Sequence, residues 1–448
     1  MKKERILYWF RRDLRLDDQP GLQHAIERGT LLPVYILEDR DFGTTSYGFP
    51  KTGGHRARLL RESLEDLSDS LSSLGGELLI LKGEAEVLLP ELCRQFDIDT
   101  LFAMREVGWD ERQTQHQLET NLKESGTTLF WFWTHPMIHP KDLPFDVREL
   151  PDVFTQFRKE VEKRSPVRPP VSKPEQIEWI PIEQNTSPIQ ATDRDQVISH
   201  RVLKWGDTLL NPALDPVSDP RAVHPFHGGE KAGLQRLREY IWEGDNLRRY
   251  KETRNGLLGA DYSSKFSPWL ANGTLSARRI YAEVKRYEEK RITNESTYWL
   301  IFELLWRDYF QFSALKYGAR LFSSGGIQGK SVTQKADWEP FDKWSKAQTG
   351  DDFIDANMTE LNQTGFMSNR GRQNVASFLS QDLGVDWRMG AEYFESLLLD
   401  YDVASNWGNW AYNSTVGHDP RNRKFDVERQ AWMYDRNHRY RKHWGFGS

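Results

Sequence analysis

The chain of 448 residues contains a single cysteine, Cys93. One thiol cannot form an intramolecular disulfide or supply a cysteine cluster for a metal. The eleven histidines show no HExxH or other metal-ligand spacing, so the sequence predicts no metal site. His139, His224 and His227 stand beside prolines or glycines, which is typical of loop positions.

The sequence also lacks any apolar run near the roughly 20 residues that a membrane span requires. The apolar run at the start, ILYWF, ends after five residues at Arg11 and Arg12, too soon for a secretory signal. These absences predict a cytoplasmic, intracellular protein with no membrane partner. We expect a monomer.

A third absence is overall positive charge. The net charge is −5, so nucleic-acid binding requires a local basic patch. One candidate stretch holds eight basic residues against three acidic ones, a net charge of +5. A solvated face explains it equally well. The basic residues are Arg421, Arg423, Lys424, Arg429, Arg436, Arg439, Arg441 and Lys442.

Tryptophan, in contrast, is abundant. Seventeen are present, and twelve of them lie from Trp205 onward. Tryptophan serves as core, as a stacking platform or as an electron relay. The uneven distribution assigns the aromatic chemistry to the C-terminal part.

The order of apolar segments divides the chain into three parts. Residues 1–135 alternate short apolar runs (ILYWF, LLPVYIL, ELLILKG, TLFAMREV and TTLFWFW) with helical spacing, as over 55–74. This predicts a Rossmann-like α/β domain with a parallel sheet. Residues 136–225 are rich in proline and predict a connector that wraps over both domains. Residues 226–448 show helical spacing throughout and predict an all-α domain.

Two segments near the C-terminus carry the strongest chemical pattern, TGFMSNRGRQNVASFL and LLLDYDVASNWGNWAY. Trp387 and Trp410 are 23 residues apart and flank two aspartates and an asparagine. Aromatic residues mixed with Asp, Asn and Arg favour a redox ring system held inside a helical domain, where the cofactor supplies the chemistry.

These segments resemble the flavin-binding region of the photolyase/cryptochrome superfamily, and in particular its cryptochrome-DASH branch. Three further segments are similar to family motifs in the same order: LYWFRRDLRLDDQPGL, PDVFTQFRKEVEKRSPVRPP and DYSSKFSPWLANGTLS. The resemblance implies bound FAD and light-driven repair of cyclobutane pyrimidine dimers in DNA. It also implies a preference for single-stranded DNA.

The segment DYSSKFSPWL is the expected phosphate site. Ser267 before Pro268 predicts a helix start capped by serine, and a helix N-terminus beside Lys265 suits a diphosphate. The residues alone are explained as well by an ordinary capped helix. The resemblance implies that the FAD diphosphate is held by Tyr250, Ser263, Ser264, Lys265, Phe266 and Ser267.

The resemblance also assigns residues around the flavin ring. It implies an ion pair between Arg372 and Asp400, with Asp402 near the polar edge of the ring. It places Asn406 at the reactive ring nitrogen, where an amide can donate or accept a hydrogen bond.

An electron relay of tryptophans is implied as well. Trp410 matches its inner member and Trp387 its middle member. The outer position is occupied by Gln334. Trp338 lies four residues later and substitutes for it if this segment is helical.

The dimer site is expected around Glu303 and Trp306, which are three residues apart on one helix face. The resemblance implies that Glu303 bonds the bases and that Trp306 packs against a flipped dimer. Tyr412 stands where many relatives have a second tryptophan. Weaker stacking favours single strands, which are already unpaired. The other expected DNA contacts are Asn369, Arg370, Gln373 and Arg421.

An antenna site is expected in REVGWDERQ, which resembles the segment that binds methenyltetrahydrofolate. Glu111 is the predicted ligand and Asp110 the alternative, and an acidic surface loop explains both equally well. A second glycine-rich segment, SGGIQGKS, lacks the first glycine of a P-loop and a preceding strand. It predicts an ordinary loop.

Two other functions are open to this sequence. A signalling photoreceptor binds flavin without repairing DNA and often has a long tail, whereas only 36 residues follow Tyr412 here. A dark nucleotide-binding or electron-transfer flavoprotein fits the N-terminal sheet but leaves Trp387 and Trp410 unexplained. Light-driven reduction of the flavin is expected for a repair enzyme and for a photoreceptor, whereas its absence would favour the dark flavoprotein.

Overall fold

The computed structural model describes residues 3–123, 125–182, 197–199, 205, 208, 210–418, 421 and 424–447. Five parallel strands form one sheet, as the sequence predicts. They are β1 Glu4–Phe10, β2 Gly29–Leu37, β3 Leu79–Lys82, β4 Thr100–Met104 and β5 Thr128–Phe132. A short strand, β6 Val197–Ser199, pairs antiparallel with β3 at one edge.

The sheet has the order β5-β4-β1-β2-β3-β6. The chain moves outward from β1 to β3 and then restarts with β4 on the other side of β1. A crevice forms at such a switch, outside the carboxyl ends of the strands. The central strands are apolar on both faces because helices cover both sides. The first helices are α1 Pro20–Arg28, α2 Gly54–Ser72, α3 Ala85–Gln95 and α4 Trp109–Leu122.

The rest of the described chain is mainly helical. π-helical turns at Glu239–Glu243 and Phe378–Asp382 extend two of the helices. The helices are α5 Phe154–Arg164, α6 Glu230–Arg238, α7 Tyr250–Thr253, α8 Ser267–Ala271, α9 Ala277–Lys290, α10 Glu295–Tyr317, α11 Trp338–Ser345, α12 Asp352–Thr364, α13 Asn369–Ser377, α14 Trp387–Leu397, α15 Val403–Asn413, α16 Val427–Tyr434 and α17 Arg439–His443. None of the described helices is both long enough and apolar enough to cross a bilayer.

The longest helix, α10, runs through the centre of the helical layer. It begins at a capping box, in which the Asn294 side chain accepts from the backbone amide of Thr297 and the Thr297 hydroxyl accepts from the backbone amide of Asn294. Its apolar residues lie on nearly all sides, which is typical of a buried helix. Polar side chains on α10 therefore either find internal partners or face a cavity.

The described part of the proline-rich connector contacts both halves of the molecule. Phe154 of α5 packs on α10 through the Trp306 ring. Farther along, Trp179 donates from Nε1 to the Leu74 carbonyl at 2.9 Å, and Leu31 of β2 pairs with its backbone. The connector thus packs over the sheet and the helices, as expected.

Two ion pairs, one buried and one partly buried, join the turn after β1 to α9. The Arg278 guanidinium lies 2.8 Å from Asp18, and both side chains are buried. Arg279 pairs with Asp17 at 2.6 Å. Removing one partner of a buried pair leaves an uncompensated charge, so these contacts fix the sheet against the helical layer.

Candidate functional site

A cavity of about 1140 Å³ opens among α7, α10, α13, α15 and α16, and we call it the helical cavity. Ligand sites usually have volumes of about 300–1,000 Å³, so this one has room for a dinucleotide and a second ligand. Sixteen of the predicted site residues line it. They are Tyr250, Ser263, Ser264, Lys265, Phe266, Ser267, Glu303, Trp306, Asn369, Arg370, Arg372, Gln373, Asp400, Asp402, Tyr412 and Arg421.

Lys265 is a buried cation in this wall. Its Nζ lies 3.0 Å from the centroid of the Tyr262 ring and 3.1 Å from Ser263 Oγ. In the part of the chain that the structure describes, no carboxylate oxygen lies within 4.0 Å of it. Burial lowers the pKa of Lys265 well below that of an ordinary lysine. Its backbone φ is +61°, a conformation that costs energy in a residue other than glycine.

These features fit an anionic ligand. A buried ammonium without a counter-charge is unfavourable, and Ser263 and Ser264 add hydroxyl donors beside it. A flavin dinucleotide would place its diphosphate against these groups. The residues present therefore fit FAD.

The helix after this loop differs from the prediction. α8 begins at Ser267, so Ser267 is its first residue and Phe266 takes the N-cap position, with no side-chain cap. The prediction that Ser267 caps the helix is wrong. The helix has five residues, too few for an appreciable macrodipole. The ammonium and hydroxyls, and not a helix terminus, are the groups that an anion can use.

Opposite charges occupy another part of the wall. Arg372 Nη2 lies 2.8 and 3.0 Å from the two carboxylate oxygens of Asp400. Asp402 caps α15 and accepts from the Ser405 amide at 2.7 Å. Burial acts to raise the pKa of Asp402, but the positive charge of Arg307 contributes to a net lowering. Asp402 is therefore an anion at neutral pH.

Glu303 does not stand alone on α10. Its Oε1 lies 2.5 Å from Nη1 of Arg254, and that guanidinium is 5.3 Å from the Trp299 ring centroid. Burial raises the pKa of Glu303, although Arg254 acts in the opposite direction. Both side chains line the helical cavity. They offer an acceptor and a donor to the same ligand.

Two aromatic rings form a right-angled wall. The Trp306 and Tyr412 centroids are 5.9 Å apart with an interplanar angle of 86°. Phe154 stacks on Trp306 at 3.7 Å and 13°. The connector thereby fixes the orientation of the indole. Such a wall suits a planar or stacked ligand.

Polar groups of α13 lie beside this wall. Arg370 donates to Asn255 Oδ1 at 3.1 Å, and its guanidinium is 4.7 Å from the Tyr434 ring centroid. Oε1 of Gln373 is buried and has no hydrogen-bond partner among the described residues. A buried orphan acceptor next to a cavity indicates a place for a ligand donor.

The basic C-terminal stretch forms part of the rim. Arg441 pairs with Asp435 at 3.0 Å and Lys424 with Asp382 at 2.7 Å. Among the residues described, no carboxylate oxygen lies within 4.0 Å of the remaining exposed arginines of α16, of α17 and of the turn between them. Arg423 lies outside the described residues. The arginines without such a carboxylate are Arg429, Arg436 and Arg439.

Three predicted residues lie behind the cavity lining. Asn406 is 8% exposed, and its amide donates to the Ala391 carbonyl at 3.0 Å. Trp410 follows it by one turn on α15 and is 2% exposed. Trp387 is fully buried and donates to the Ser324 carbonyl at 2.9 Å. Ser324 belongs to the glycine-rich segment, which forms turns and no P-loop, as predicted.

Trp338 does not extend the relay in the expected way. Gln334 and the next residues are extended, because Lys335 pairs with Val385 in an isolated bridge. Asp337 caps α11, so the helix begins only at Trp338. The premise that positions 334 and 338 share a helical turn is wrong. Trp338 is 48% exposed, and no described ring contact joins it to Trp387.

A second cavity of about 500 Å³ lies at the carboxyl ends of β1, β2 and β4, and we call it the sheet-edge cavity. Glu111 and Asp110 both line it. Glu111 is held 3.6 Å from Arg12, whereas Asp110 is mostly exposed. The Glu111 carboxylate folds against Gly108, where a Cβ would lie 2.0 Å from its oxygen. The topological switch point of the sheet thus provides a second site.

Sequence reasoning missed four of these residues. Arg254 pairs with Glu303, Phe154 backs Trp306, and Arg307 sits beside Asp402 with bonds to the carbonyls of His135 and Leu270. Tyr262 lies under the Lys265 ammonium. Arg307 gave a usable signal, since a charged residue in an apolar helix requires internal partners. Phe154 and Arg254 gave none, because their partners are distant in sequence.

Comparison with known proteins finds family similarity in both halves of the chain. Residues 6–175 match the family model described as DNA photolyase, and residues 299–445 match that described as the FAD binding domain of DNA photolyase. The curated protein Cryptochrome DASH of Natronomonas pharaonis is 48% identical over 437 residues, which cover 97% of this chain and 89% of that protein.

Solved structures agree. The crystal structure of Synechocystis sp. PCC6803 cryptochrome superposes with a TM-score of 0.90 at 45% identity, covering 99% of this chain and 89% of the other. A bacterial class III photolyase from Agrobacterium tumefaciens gives a TM-score of 0.83 at 27% identity, covering 99% and 87%.

Proposed function

The chain belongs to the cryptochrome-DASH branch of the photolyase/cryptochrome family, and from this premise we propose that it repairs cyclobutane pyrimidine dimers in light. FAD, when bound and reduced, supplies the electron that opens the cyclobutane ring and receives it back, so the reaction has no net redox change. The chain supplies the binding sites, the orientation and the electrostatics.

The helical cavity carries this proposal. It combines an anion site at Lys265 with an aromatic wall at Trp306 and Tyr412. One cavity thus offers room for both a dinucleotide and a pair of flipped bases. A signalling flavoprotein has no need of the room for flipped bases.

Glu303 and Arg254 are proposed to recognise the edges of the dimer bases. Charge-assisted hydrogen bonds contribute about 1.5–3 kcal/mol each. Those that Arg254 donates strengthen when negative charge develops on the bases, provided that the guanidinium is held in place beforehand. The 2.5 Å contact between Glu303 and Arg254 supports this role.

We also propose that the DNA is single-stranded or looped. The net charge of −5 gives no general attraction to duplex DNA. Beside the rim, α16 instead exposes Trp432 at 60% and Met433 at 48%, with the Arg436 guanidinium 5.2 Å from the Trp432 ring centroid. An exposed ring beside a cation suits stacking on an unpaired base, with phosphates nearby.

The sheet-edge cavity is proposed to hold an antenna, with methenyltetrahydrofolate as the candidate. Glu111 is partly buried and fixed by Arg12, which favours it over the exposed Asp110 as the ligand of a pterin. We further propose the domain division 1–135, 136–225 and 226–448, and a monomer that acts on DNA in the cytoplasm.

The test is light-driven repair by the reduced, FAD-loaded protein. Recovery of base absorbance is followed in dimer-containing oligonucleotides, single-stranded and duplex side by side. Repair of single strands alone supports the full proposal, and equal repair of both contradicts the strand preference. No repair, with flavin bound and photoreducible, supports a signalling photoreceptor instead.

A matched pair of variants tests the assignment of Glu303. Glu303→Gln should lower the repair yield while FAD stays bound. Glu295→Gln on the same helix should have no effect, because its exposed pair with Lys251 contributes little. Unchanged repair by Glu303→Gln would show that the dimer lies elsewhere.

A further inference from the structure

The aromatic path behind the helical cavity does not reach the surface through Trp387. That indole is fully buried, and its only ring neighbour in the described chain is Trp407, at 5.6 Å. Trp407 is 5% exposed and lines the sheet-edge cavity. Gln334 cannot act as the exit, because an amide is not readily oxidised.

A second path leaves from Trp410 in another direction. Trp410 and Trp344 have ring centroids 6.1 Å apart. Trp344 is 5.7 Å from Phe341, and Phe341 is 5.5 Å from Trp338. Trp338 is 48% exposed. We infer that electrons reach the bound flavin of this chain from the surface through Trp338, Trp344 and Trp410, with Trp387 as a side branch.

The local chemistry favours Trp338 as the end of this path. Trp344 is fully buried, and its Nε1–H donates to the Val375 carbonyl at 3.1 Å. A carbonyl is a poor proton acceptor, so an oxidised Trp344 keeps its proton and can be reduced again by Trp338. The exposed Trp338 can instead release its proton to water. The neutral radical that remains then stays at the surface.

Tyr393 is a less suitable end point, although it lies 5.8 Å from both Trp344 and Phe341. Its hydroxyl donates to Asn362 Oδ1 at 2.9 Å and to the Ser345 carbonyl at 3.2 Å. Burial raises the pKa of Tyr393 to about 12. Oxidation of a phenol requires loss of its proton, and neither partner is a base.

The electron balance is simple. Trp410 gives one electron to the oxidised flavin and regains one from Trp344, which regains one from Trp338. Trp338 and Trp344 both lie on α11, six residues apart, which is about 9 Å along the helix axis. Trp338 then loses its indole proton to water. A small-molecule thiol restores it by giving one electron and one proton, so each cycle carries one electron from thiol to flavin.

The inference rests on flavin binding within the proposed function, but not on dimer repair. The test uses the full-length, FAD-loaded protein with dithiothreitol under blue light. Trp338→Phe should abolish the long-lived deprotonated tryptophan radical in transient absorption and strongly slow flavin reduction. Trp387→Phe should leave the radical in place. Trp242→Phe is the matched control, since Trp242 lies apart from the path and bonds Glu283.

A second measurement does not depend on flavin turnover. Peptide mapping after illumination in air should find oxygen added at Trp338 in the parent protein and in Trp387→Phe. In Trp344→Phe the modification should disappear, and the flavin absorbance checks that this buried variant is folded. If that variant does not fold, Trp338→Phe decides alone, because its side chain is on the surface.

The opposite pattern overturns the inference: loss of the radical in Trp387→Phe with normal behaviour of Trp338→Phe. Absence of light-driven flavin reduction in the parent protein overturns it as well. Failure of repair by chemically reduced protein, with the radical intact, contradicts only the proposed function.

Discussion

Replacing Lys265 by methionine should change the flavin-free and the flavin-bound protein in opposite directions. Without an anion, the buried amino group has Ser263 Oγ and the Tyr262 ring as its near partners, with the Phe366 ring centroid farther away at 5.8 Å. A buried polar group that lacks full compensation costs about 1–3 kcal/mol, and its cation–π contact returns part of that cost. Lys265→Met should therefore stabilise the flavin-free protein by roughly 1 kcal/mol, or about 1 °C in Tm for a chain of this length.

The same substitution should weaken FAD binding. A charge-assisted contact to a phosphate contributes about 1.5–3 kcal/mol, which corresponds to a loss of affinity of about 10- to 100-fold. Flavin fluorescence in a titration measures the affinity, and thermal unfolding of the flavin-free protein measures the stability. The left-handed backbone conformation of residue 265 is equally strained with lysine and with methionine. Backbone strain therefore does not affect the comparison of the two proteins.

The protonation of Lys265 gives a third readout. Burial lowers the pKa of the amine in the flavin-free protein, and a bound diphosphate would raise it again. Binding should then take up a proton, and FAD affinity should fall as pH rises through the range in which the free amine is neutral. Titration calorimetry in two buffers of different ionisation enthalpy detects this uptake, and Lys265→Met should abolish it.

The matched control is Lys316→Met. Lys316 is also partly buried, but it pairs with Asp152 at 2.9 Å and lies outside the helical cavity. Its loss should lower Tm and leave FAD affinity unchanged. If Lys265→Met behaves in the same way as this control, Lys265 is a structural residue and its assignment to the diphosphate is wrong.

Three further predictions concern Asp400, His418 and Trp432. Asp400→Asn leaves Arg372 uncompensated and should cost about 3–5 kcal/mol in denaturant unfolding of the flavin-free protein, whereas an unchanged midpoint would mean that the pair forms only with ligand. Burial lowers the pKa of His418 to about 4, so below pH 6.5 the unfolded chain binds a proton that the native state cannot. This histidine should cost about 2 kcal/mol between pH 7 and pH 5, and His418→Asn should reduce the pH slope in urea unfolding by that amount. The rest of the slope should stay, because burial also lowers the pKa values of His55, His139 and His224. Trp432→Ala should weaken single-strand binding by about 1–3 kcal/mol in fluorescence anisotropy, while Leu214→Ala, an equally exposed apolar control, should not.

The sequence alone determined the elements and the chemical type of the main site. Apolar runs of five to eight residues with charged turns predicted the five strands, because strands buried on both faces must be apolar throughout. Helical spacing predicted α6, α9, α10 and α13, because a helix buries the residues that recur three and four positions apart. Glu303, Trp306 and Arg372 were identified from resemblance and local spacing, and the fold brings all three to one cavity.

The tertiary structure decided the partners. Arg254 beside Glu303 and Phe154 on Trp306 are 49 and 152 residues away from them in sequence, and no local pattern encodes such distances. It also showed that Ser267 is the first residue of α8 and not its cap. The segment from Gln334 to Trp338 forms no helical turn, since a bridge from Lys335 to Val385 keeps it extended. Local spacing fixes which face of an element a residue occupies, but packing between distant elements decides what that face meets.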